Sequence, residues 1–255
     1  MSSILQHKRN VHSQNGEDGI IEYIFNKIGK SHNGTFIEFG AWDGKHLSNT
    51  YHLFSEKGWD GIYIESDPEK ANDLQNNFAD FKDRIDCVCA NVGYSDTDNL
   101  DTLIETYSTR REFDFVSIDV DGLDYFIFQK MNKYLPSVIC IEVNAGHSPE
   151  YAEVIPENIA SDNIGQSIYV ITEEAKRKGY FTLCYTGNLF LVKNEYRELF
   201  AADIRGITDM YIEFLQHLEP EGIMHLKKTF VENTVYNGFN FHNVLLAWAP
   251  VNLQN

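Results

Sequence analysis

Basic residues are scarce in this sequence. Its 255 residues carry 21 lysines and arginines against 38 aspartates and glutamates, which gives a formal net charge of −17. A protein that binds the nucleic-acid backbone needs a basic face, and the longest Lys/Arg run here is "KRK" at 176–178. We therefore expect no nucleic-acid partner. A small anionic substrate stays compatible with the sequence, because one or two local Lys or Arg residues would suffice to bind it.

Long hydrophobic segments and paired cysteines are also missing. No apolar stretch approaches the ~20 residues that span a bilayer, and the opening "MSSILQHKRNVHSQNGEDG" lacks the apolar region of a signal peptide. The cysteines form no CxxC pair and no zinc-ligand spacing. We expect a soluble, cytoplasmic protein whose cysteines are reduced core residues. These are Cys87, Cys89, Cys140 and Cys184.

Apolar residues make up 43% of the chain and aromatic residues 13%, enough for a sizeable core. Strand-like apolar runs alternate with amphipathic helical patterns, and 181–193 is typical of a hairpin that turns at Thr186-Gly187-Asn188. The alternation predicts an α/β fold: a doubly wound, mostly parallel sheet closed by a C-terminal β-hairpin, with added N- and C-terminal helices. Predicted strands cover 34–40, 60–67, 85–93, 113–120 and 137–144; predicted helices cover 48–58, 68–78, 99–108, 123–135 and 167–180.

No Pro/Ser-rich linker and no internal repeat divides the chain. We expect a single domain over 1–255, with an N-terminal helix or lid at 13–33, a core at 34–193 and a helical, aromatic-rich extension at 194–255. The aromatic residues of the extension have three open roles: core packing, cover of a substrate pocket, or contact with a second copy in a homo-oligomer. They include Tyr236, Phe239, Phe241 and Trp248.

Polar residues stand where the first three predicted strands end, which is where doubly wound sheets bind ligands. After the first strand, "EFGAWDG" offers Glu38 and Gly40. This loop is either an ordinary tight turn or the acidic-x-Gly-x-x-x-Gly loop that holds the methionyl part of S-adenosylmethionine, with Trp42 where many such loops have glycine. Glu65 is either a solvated acid or a partner for ribose hydroxyls. Asn91 is either a turn residue or a contact to adenine.

The fourth and fifth strand ends carry acids and a histidine. "IDVDG" offers Asp119 and Asp121, and "IEVNAGH" offers Glu142, Asn144 and His147. If these strands are neighbours, the side chains converge, and crowded carboxylates repel unless a divalent cation binds them. We predict Asp119, Asp121, Glu142 and His147 as ligands of Mg²⁺, Mn²⁺ or Fe²⁺. The alternative is that Asp119 meets only the ammonium group of a ligand and that His147 is an ordinary loop residue.

The string "DVDG" has two further interpretations. A calcium loop requires another ligand before its glycine, whereas Gly122 follows Asp121 directly and apolar helix comes next. A metal-binding Asp-x-Asp of a glycosyltransferase predicts a nucleotide-sugar donor, but it leaves "EFGAWDG" and Glu65 without a role. Asp124 we assign to the first turn of the following helix, facing its positive N-terminal dipole.

The N-terminal string "SQNGEDG" also allows two roles. Ser13 or Asn15 caps the helix that follows, with Glu17 and Asp18 near its N-terminal dipole. Alternatively, the polar cluster folds over a bound cofactor as a lid.

Taken together, "SQNGEDG", "FIEFGAWDGKHLSNT", "GWDGIYIESD", "DFVSIDVDGLDY", "IEVN" and "GYFTLCYTGNLFLV" resemble the FkbM-type family of class I S-adenosylmethionine-dependent methyltransferases, over about residues 13–193. The resemblance implies a Rossmann-like fold, S-adenosylmethionine as donor, and O-methylation of sugars of surface polysaccharides or of secondary metabolites. It implies cofactor contacts at Glu38, Gly40, Glu65 and Asp119, and it favours the lid, with Gln14 as a further contact.

Metal-dependent O-methyltransferases of the catechol type place acids at the same two strand ends but add a lysine base, which is absent just beyond Asp119. A side-chain base would then be Asp121 or His147. We expect a metal-assisted O-methyltransferase acting on a hydroxyl of a sugar or nucleotide-linked sugar. The alternatives are a metal-dependent nucleotide-sugar glycosyltransferase and a non-catalytic S-adenosylmethionine-binding module.

Overall fold

The computed structural model describes residues 3–160 and 164–218. The aromatic residues predicted to cover a pocket or a partner, from Tyr236 to Trp248, lie outside the described residues. No helix within the described ranges is long and apolar enough to cross a membrane.

Seven strands form one sheet in the order β3-β2-β1-β4-β5-β7-β6. The strands β1 to β5 run parallel, and β7 pairs antiparallel with both β5 and β6. The predicted doubly wound, mostly parallel sheet with a closing hairpin is therefore confirmed. The strands are β1 Thr35–Phe39, β2 Asp60–Glu65, β3 Ile85–Cys89, β4 Phe115–Ile118, β5 Val138–Glu142, β6 Tyr180–Tyr185 and β7 Asn188–Lys193.

Helices connect the parallel strands, as the alternating pattern predicts. Asp67 caps α3 by accepting hydrogen bonds from the amides of Glu69 and Lys70, and Pro68 occupies the first helical position. The helices are α1 Glu17–Lys27, α2 Tyr51–Lys57, α3 Pro68–Asn77, α4 Leu100–Tyr107, α5 Asp124–Lys130, α6 Glu157–Ile159, α7 Ile168–Arg177 and α8 Ile207–Gln216, with 3₁₀ turns at Ile4–His7, Ala79–Phe81 and Asn194–Phe200.

Both faces of the sheet are buried. Neighbouring residues of β1 enter opposite apolar clusters, since Phe36 joins one cluster while Ile37 and Phe39 join the other. Helices α1, α2 and α3 pack on the first face, and α4, α5, α7 and α8 on the second. Burial on both sides explains why the strands are continuous apolar runs rather than alternating patterns.

The strand order reverses between β1 and β4. These two strands are hydrogen-bonded neighbours with Phe39 opposite Ile118, and the chain continues outward from them in both directions. The loops that follow, beginning at Gly40 and Asp119, therefore leave the sheet side by side. Such a switch point is where doubly wound sheets form their ligand crevice.

Candidate active site

Two cavities lie at the carboxyl edge of the sheet. The large cavity has a volume of about 830 Å³ and is bordered by the loops after β1, β2, β3 and β4. The small cavity, of about 400 Å³, lies between the loops after β4 and β5, the N-terminal segment and the β6–β7 turn. They adjoin, because the same five residues line both: Gln14, Leu47, Asn49, Asp119 and Asp121.

Gly40 brings the two central loops together. Its φ is +70°, and a Cβ atom at this position would lie 2.2 Å from the carbonyl oxygen of Asp119. No L side chain fits there without moving the backbone that carries Asp119. The resemblance implies a cofactor contact at Gly40, which lines the large cavity; the structure adds a close approach to the neighbouring loop.

Glu38 is a buried acid supplied with donors by its own chain. Its carboxylate accepts hydrogen bonds from Ser48 Oγ and Thr50 Oγ1, both at 2.6 Å, and from the amide of Asn49 at 2.9 Å. Burial raises the pKa of Glu38, and these hydrogen bonds oppose the rise. The predicted cofactor residue borders the large cavity, and its contacts hold the segment that places Asn49 between the two cavities.

Glu65 is held in the large cavity by backbone amides. One oxygen accepts from the amide of Trp42 and the other from that of Asp67, each at 2.8 Å. A carboxylate oxygen has a second lone pair, so each oxygen can still accept from a ligand hydroxyl. The predicted contact Asn91 also lines this cavity.

Several residues of the large cavity were not predicted from the sequence as cofactor contacts. The indole of Trp42 is 43% exposed at a positive φ of +48°, with Lys70 Nζ 5.3 Å from its ring centroid. Tyr94 and Asp98 line the far end, and Asp98 accepts a hydrogen bond from the amide of Ser95 at 2.9 Å. The spacing of "SDTD" at 95–98 is the one local signal for this last turn.

The carboxylates of Asp119, Asp121 and Glu142 meet where the cavities join. One oxygen of each lies within 4.8 Å of the others. Burial, followed by the charges of Asp121 and Glu17, raises the pKa of Asp119 to about 6, although this side chain is open to the cavity. Burial, followed by Asp119, raises the pKa of Glu142 to about 8. The cluster has the charge repulsion that a bound cation relieves.

Asp124 organises the loop that carries two of these acids. It is the first residue of α5, as expected, but its buried carboxylate turns back to accept from the amides of Val120 and Gly122, both at 3.0 Å. Between them, Asp121 has a φ of +53° and Gly122 of +116°. Burial, followed by Asp119, raises the pKa of Asp124 to about 7. The residue therefore holds a turn that its sequence position alone does not reveal.

His147 is not part of the acidic cluster. Among the described residues, the possible ligands gathered within 4.8 Å are Asp119, Asp121 and Glu142 alone. The ring of His147 is buried, and its Nε2 lies 2.8 Å from the carbonyl oxygen of Ile164. Burial lowers the pKa of His147. A ligand five residues beyond its strand depends on the path of the loop, and this loop carries the ring to the segment near 164.

The N-terminal residues 10–18 form a strap beside both cavities. The Oδ2 atom of Asp18 accepts four hydrogen bonds of 2.8 Å, from the amides of Val11, His12 and Ser13 and from Ser13 Oγ. Wrapping around one buried carboxylate places Gln14 on the border of both cavities. The lid and the cofactor contact at Gln14 stay predictions.

Glu17 anchors the strap to the closing hairpin. Its carboxylate accepts from the amide of Asn15 at 2.6 Å and from Thr186 Oγ1 at 2.9 Å. The residue at the helix N-cap is Gly16, with a φ of +92°. Of the two predicted capping residues, Ser13 accepts at its Oγ a hydrogen bond of 3.1 Å from the first-turn amide of Asp18. Glu17 and Asp18 therefore hold the strap in place through hydrogen bonds, in addition to lying near the positive end of the helix dipole.

Comparisons with known proteins find distant likenesses to solved structures. No protein-family model matches the chain, and no curated protein is significantly similar. A SAM-dependent methyltransferase from Aquifex aeolicus is similar at 11% identity over 67% of this chain and 87% of that chain, with a TM-score of 0.39. A TehB-like SAM-dependent methyltransferase from Corynebacterium glutamicum is similar at 14% identity over 72% and 86%, with a TM-score of 0.40. The [4+2]-cyclase SpnF is similar at 11% identity over 91% of this chain and 85% of that chain, with a TM-score of 0.43. Likenesses this distant carry no conclusion about activity, and the assignment of the fold rests on the strand order.

Proposed function

We propose that this chain is an S-adenosylmethionine-dependent O-methyltransferase that methylates a hydroxyl of a small acceptor of the sugar class, assisted by a divalent cation. The observation that carries the proposal is the junction of the two cavities at Asp119 and Asp121, directly at the switch point of the sheet. One cavity then takes the methyl donor and the other the acceptor. A role in surface-polysaccharide synthesis is supported by the family resemblance alone.

The large cavity fits the donor in shape and chemistry. Glu65 presents oriented oxygens suited to ribose hydroxyls, and Asn91 offers an amide suited to an adenine edge. The exposed carboxylate of Asp119 suits a positively charged ammonium group, and it lies where the cavity turns toward the acceptor side. Bound S-adenosylmethionine would supply a sulfonium methyl group for transfer.

The acidic cluster fits a hard divalent cation. Asp119, Asp121 and Glu142 offer oxygens alone, which suits Mg²⁺ or Mn²⁺; without His147 the case for iron is weaker. Asp119, Asp121 and Glu142 would hold such a cation, which would supply Lewis acidity to lower the pKa of an acceptor hydroxyl.

The residues of the chain position the acceptor and take its proton. The transfer breaks the bond from methyl carbon to sulfur and forms a bond from that carbon to the acceptor oxygen. Asp121 borders both cavities, so its carboxylate is placed to accept the hydroxyl proton. The strap, through Gln14 and Asn15, restricts water at the junction and orients the acceptor, which supplies much of the rate of an in-line displacement.

Calorimetry with S-adenosylhomocysteine tests the donor assignment, and methyl transfer from labelled S-adenosylmethionine tests the reaction. We expect binding to the wild-type chain, and loss of turnover in Asp119→Asn and Glu142→Gln. A matched control is Asp73→Asn, since Asp73 is exposed on α3 and lines neither cavity. Absence of S-adenosylhomocysteine binding would reject the proposal. Unchanged turnover in the presence of a chelator would reject the cation while leaving the methyl transfer in place.

The acidic cluster also favours one second candidate, a metal-dependent glycosyltransferase that binds a nucleotide-sugar donor. The same calorimeter distinguishes the two: metal-dependent binding of a nucleotide sugar, without binding of S-adenosylhomocysteine, would favour the glycosyltransferase. Binding of S-adenosylhomocysteine with no acceptor methylated would instead indicate a non-catalytic module.

A further inference from the structure

The small cavity is strongly acidic. Glu17, Asp119, Asp121, Asp124 and Glu142 line it, and no Lys, Arg or His is among its described lining residues. The sequence alone is compatible with a small anionic substrate bound by one or two local Lys or Arg residues. None of the described residues that line the small cavity is such a cation.

The described cations near the small cavity do not line it. Lys8 packs against Gly16 and its charge interacts with Glu17, but it is not a lining residue. Lys70 is the one Lys or Arg among the described residues lining either cavity, and it lines the large one. Its Nζ lies over the Trp42 ring at 5.3 Å from the centroid, beside Glu65 on the donor side. A phosphate in the small cavity would therefore face carboxylates without a basic partner.

Neutral amides supply the hydrogen bonds of the small cavity. Gln14 and Asn15 have exposed side-chain carboxamides that make no hydrogen bond to the described residues. Asn144 and Asn188 also line the cavity, but their carboxamides already bond to the protein, that of Asn144 through both its nitrogen and its oxygen. An amide offers one acceptor and two donors, which suits hydroxyl or amino groups better than a dianion. The lining therefore selects by charge as well as by hydrogen bonding.

Resting on the proposed function, we propose that the acceptor is a neutral polyhydroxy or amine-bearing small molecule, and that phosphorylated and nucleotide-linked forms are rejected. A divalent cation does not reverse this selection, because its two charges face the three carboxylates of the cluster. Unpaired like charges are a common means of rejecting a wrong ligand.

Matched acceptors test the inference with the full chain. Methyl transfer is measured with labelled S-adenosylmethionine and Mn²⁺ for glucose, galactose and mannose, each as methyl glycoside, 2-amino sugar, 6-phosphate and nucleoside-diphosphate conjugate. We expect kcat/KM for the best uncharged or amino form to exceed that of its phosphorylated forms by about tenfold or more. Equal or preferred use of a phosphorylated form overturns the inference, and so does the absence of transfer to every unphosphorylated form.

A gain of function sharpens the test. Asn15→Lys places a cation at the small cavity. We expect it to lower the ratio of kcat/KM for unphosphorylated acceptors to kcat/KM for phosphorylated acceptors by about fivefold. The matched control Asn72→Lys adds the same charge on the exposed face of α3, outside both cavities, and is expected to leave the ratio unchanged. A ratio unaffected by Asn15→Lys contradicts selection by charge.

Failure of this inference and failure of the proposed function give different results. S-adenosylhomocysteine binding is measured by calorimetry on the same samples. If it binds and a phosphorylated acceptor is preferred, only the acceptor class is wrong. If it does not bind, the methyltransferase assignment itself fails.

Discussion

Two sets of acids follow the strands of this sheet, and they differ in what surrounds them. Glu38 and Glu65, on β1 and β2, have both carboxylate oxygens occupied by amide or hydroxyl donors of the protein. Asp119, Asp121 and Glu142 accept no hydrogen bond from the described residues, although they lie within 4.8 Å of one another. A carboxylate supplied with donors stabilises the fold around it, whereas a crowded one without donors is suited to bind a ligand.

The largest effect is expected from a substitution among the three acids that accept no hydrogen bond from the protein. Asp121→Asn should lower kcat by about 100-fold or more, because it removes the proposed base, while thermal stability stays equal or rises as one repelling charge is lost. Steady-state kinetics and thermal unfolding measure the two outcomes. Activity within twofold of wild type, with Asp73→Asn as the reference variant, would contradict the role of Asp121.

The second prediction concerns Glu38, one of the two acids whose carboxylates accept hydrogen bonds from the protein. Glu38→Gln keeps one acceptor oxygen for three protein donors, so it should lower the free energy of unfolding by about 1–3 kcal/mol. Denaturant unfolding measures the loss. A Glu38→Gln chain as stable as wild type would show that the two sets of acids do not differ in this way.

Asp124 shares one property with each of the two sets of acids. Its carboxylate is supplied with two backbone amides yet borders the small cavity. Asp124→Ala should weaken Mn²⁺ binding about tenfold and cost about 1–3 kcal/mol of stability, because the turn with Asp121 at φ +53° loses its support. Asp124→Asn, which can still accept at one oxygen, should recover part of both. Equal Mn²⁺ affinity in all three chains would exclude a positioning role.

The dependence of stability on pH tests the crowded acids without a substitution. The pKa values of Asp124 and Glu142 are raised to about 7 and about 8, while unfolded carboxyls titrate near pH 4. Between about pH 4 and pH 8 the unfolded chain therefore releases protons that the folded chain keeps, so the free energy of unfolding falls as pH rises and then levels off.

Thermal unfolding from about pH 5 to about pH 9, with chelator and with Mn²⁺, measures this dependence. Mn²⁺ should flatten the curve because it favours the ionised carboxylates, and Glu142→Gln should flatten its upper part without metal. Because the lowered pKa values of His147 and His52 contribute a slope of opposite sign at the acidic end, the comparison is made between chains. The same pH dependence for wild type and Glu142→Gln in chelator would contradict the crowding of these acids.

The fold could be predicted because its determinants are local. Continuous apolar runs, helix caps such as Asp67 and the turn at Thr186-Gly187-Asn188 each act within a few residues. The meeting of Asp119, Asp121 and Glu142 followed from adjacency of β4 and β5, since side chains at parallel strand ends share one edge.

The rest depended on contacts between distant residues. His147 lies five positions beyond its strand, and its ring is placed by the carbonyl of Ile164, which no local pattern indicates. The strap follows from Asp18 and from the bond between Glu17 and Thr186, which are 169 residues apart in sequence. Lys70 and Trp42 meet because α3 packs beside the glycine loop. Local propensity does not encode such long-range geometry.

The smallest expected effect concerns the strap. Thr186→Val keeps the shape of a buried side chain and removes the 2.9 Å hydrogen bond to Glu17. We expect a rise of a few-fold in acceptor KM and a loss of about 1 kcal/mol in stability, with S-adenosylhomocysteine affinity changed less, because Glu17 lines the small cavity but not the large one. Thr106→Val, on the exposed side of α4, is the matched control. An equal loss of affinity for both ligands would mean that the strap closes over the two cavities as one unit rather than serving the acceptor.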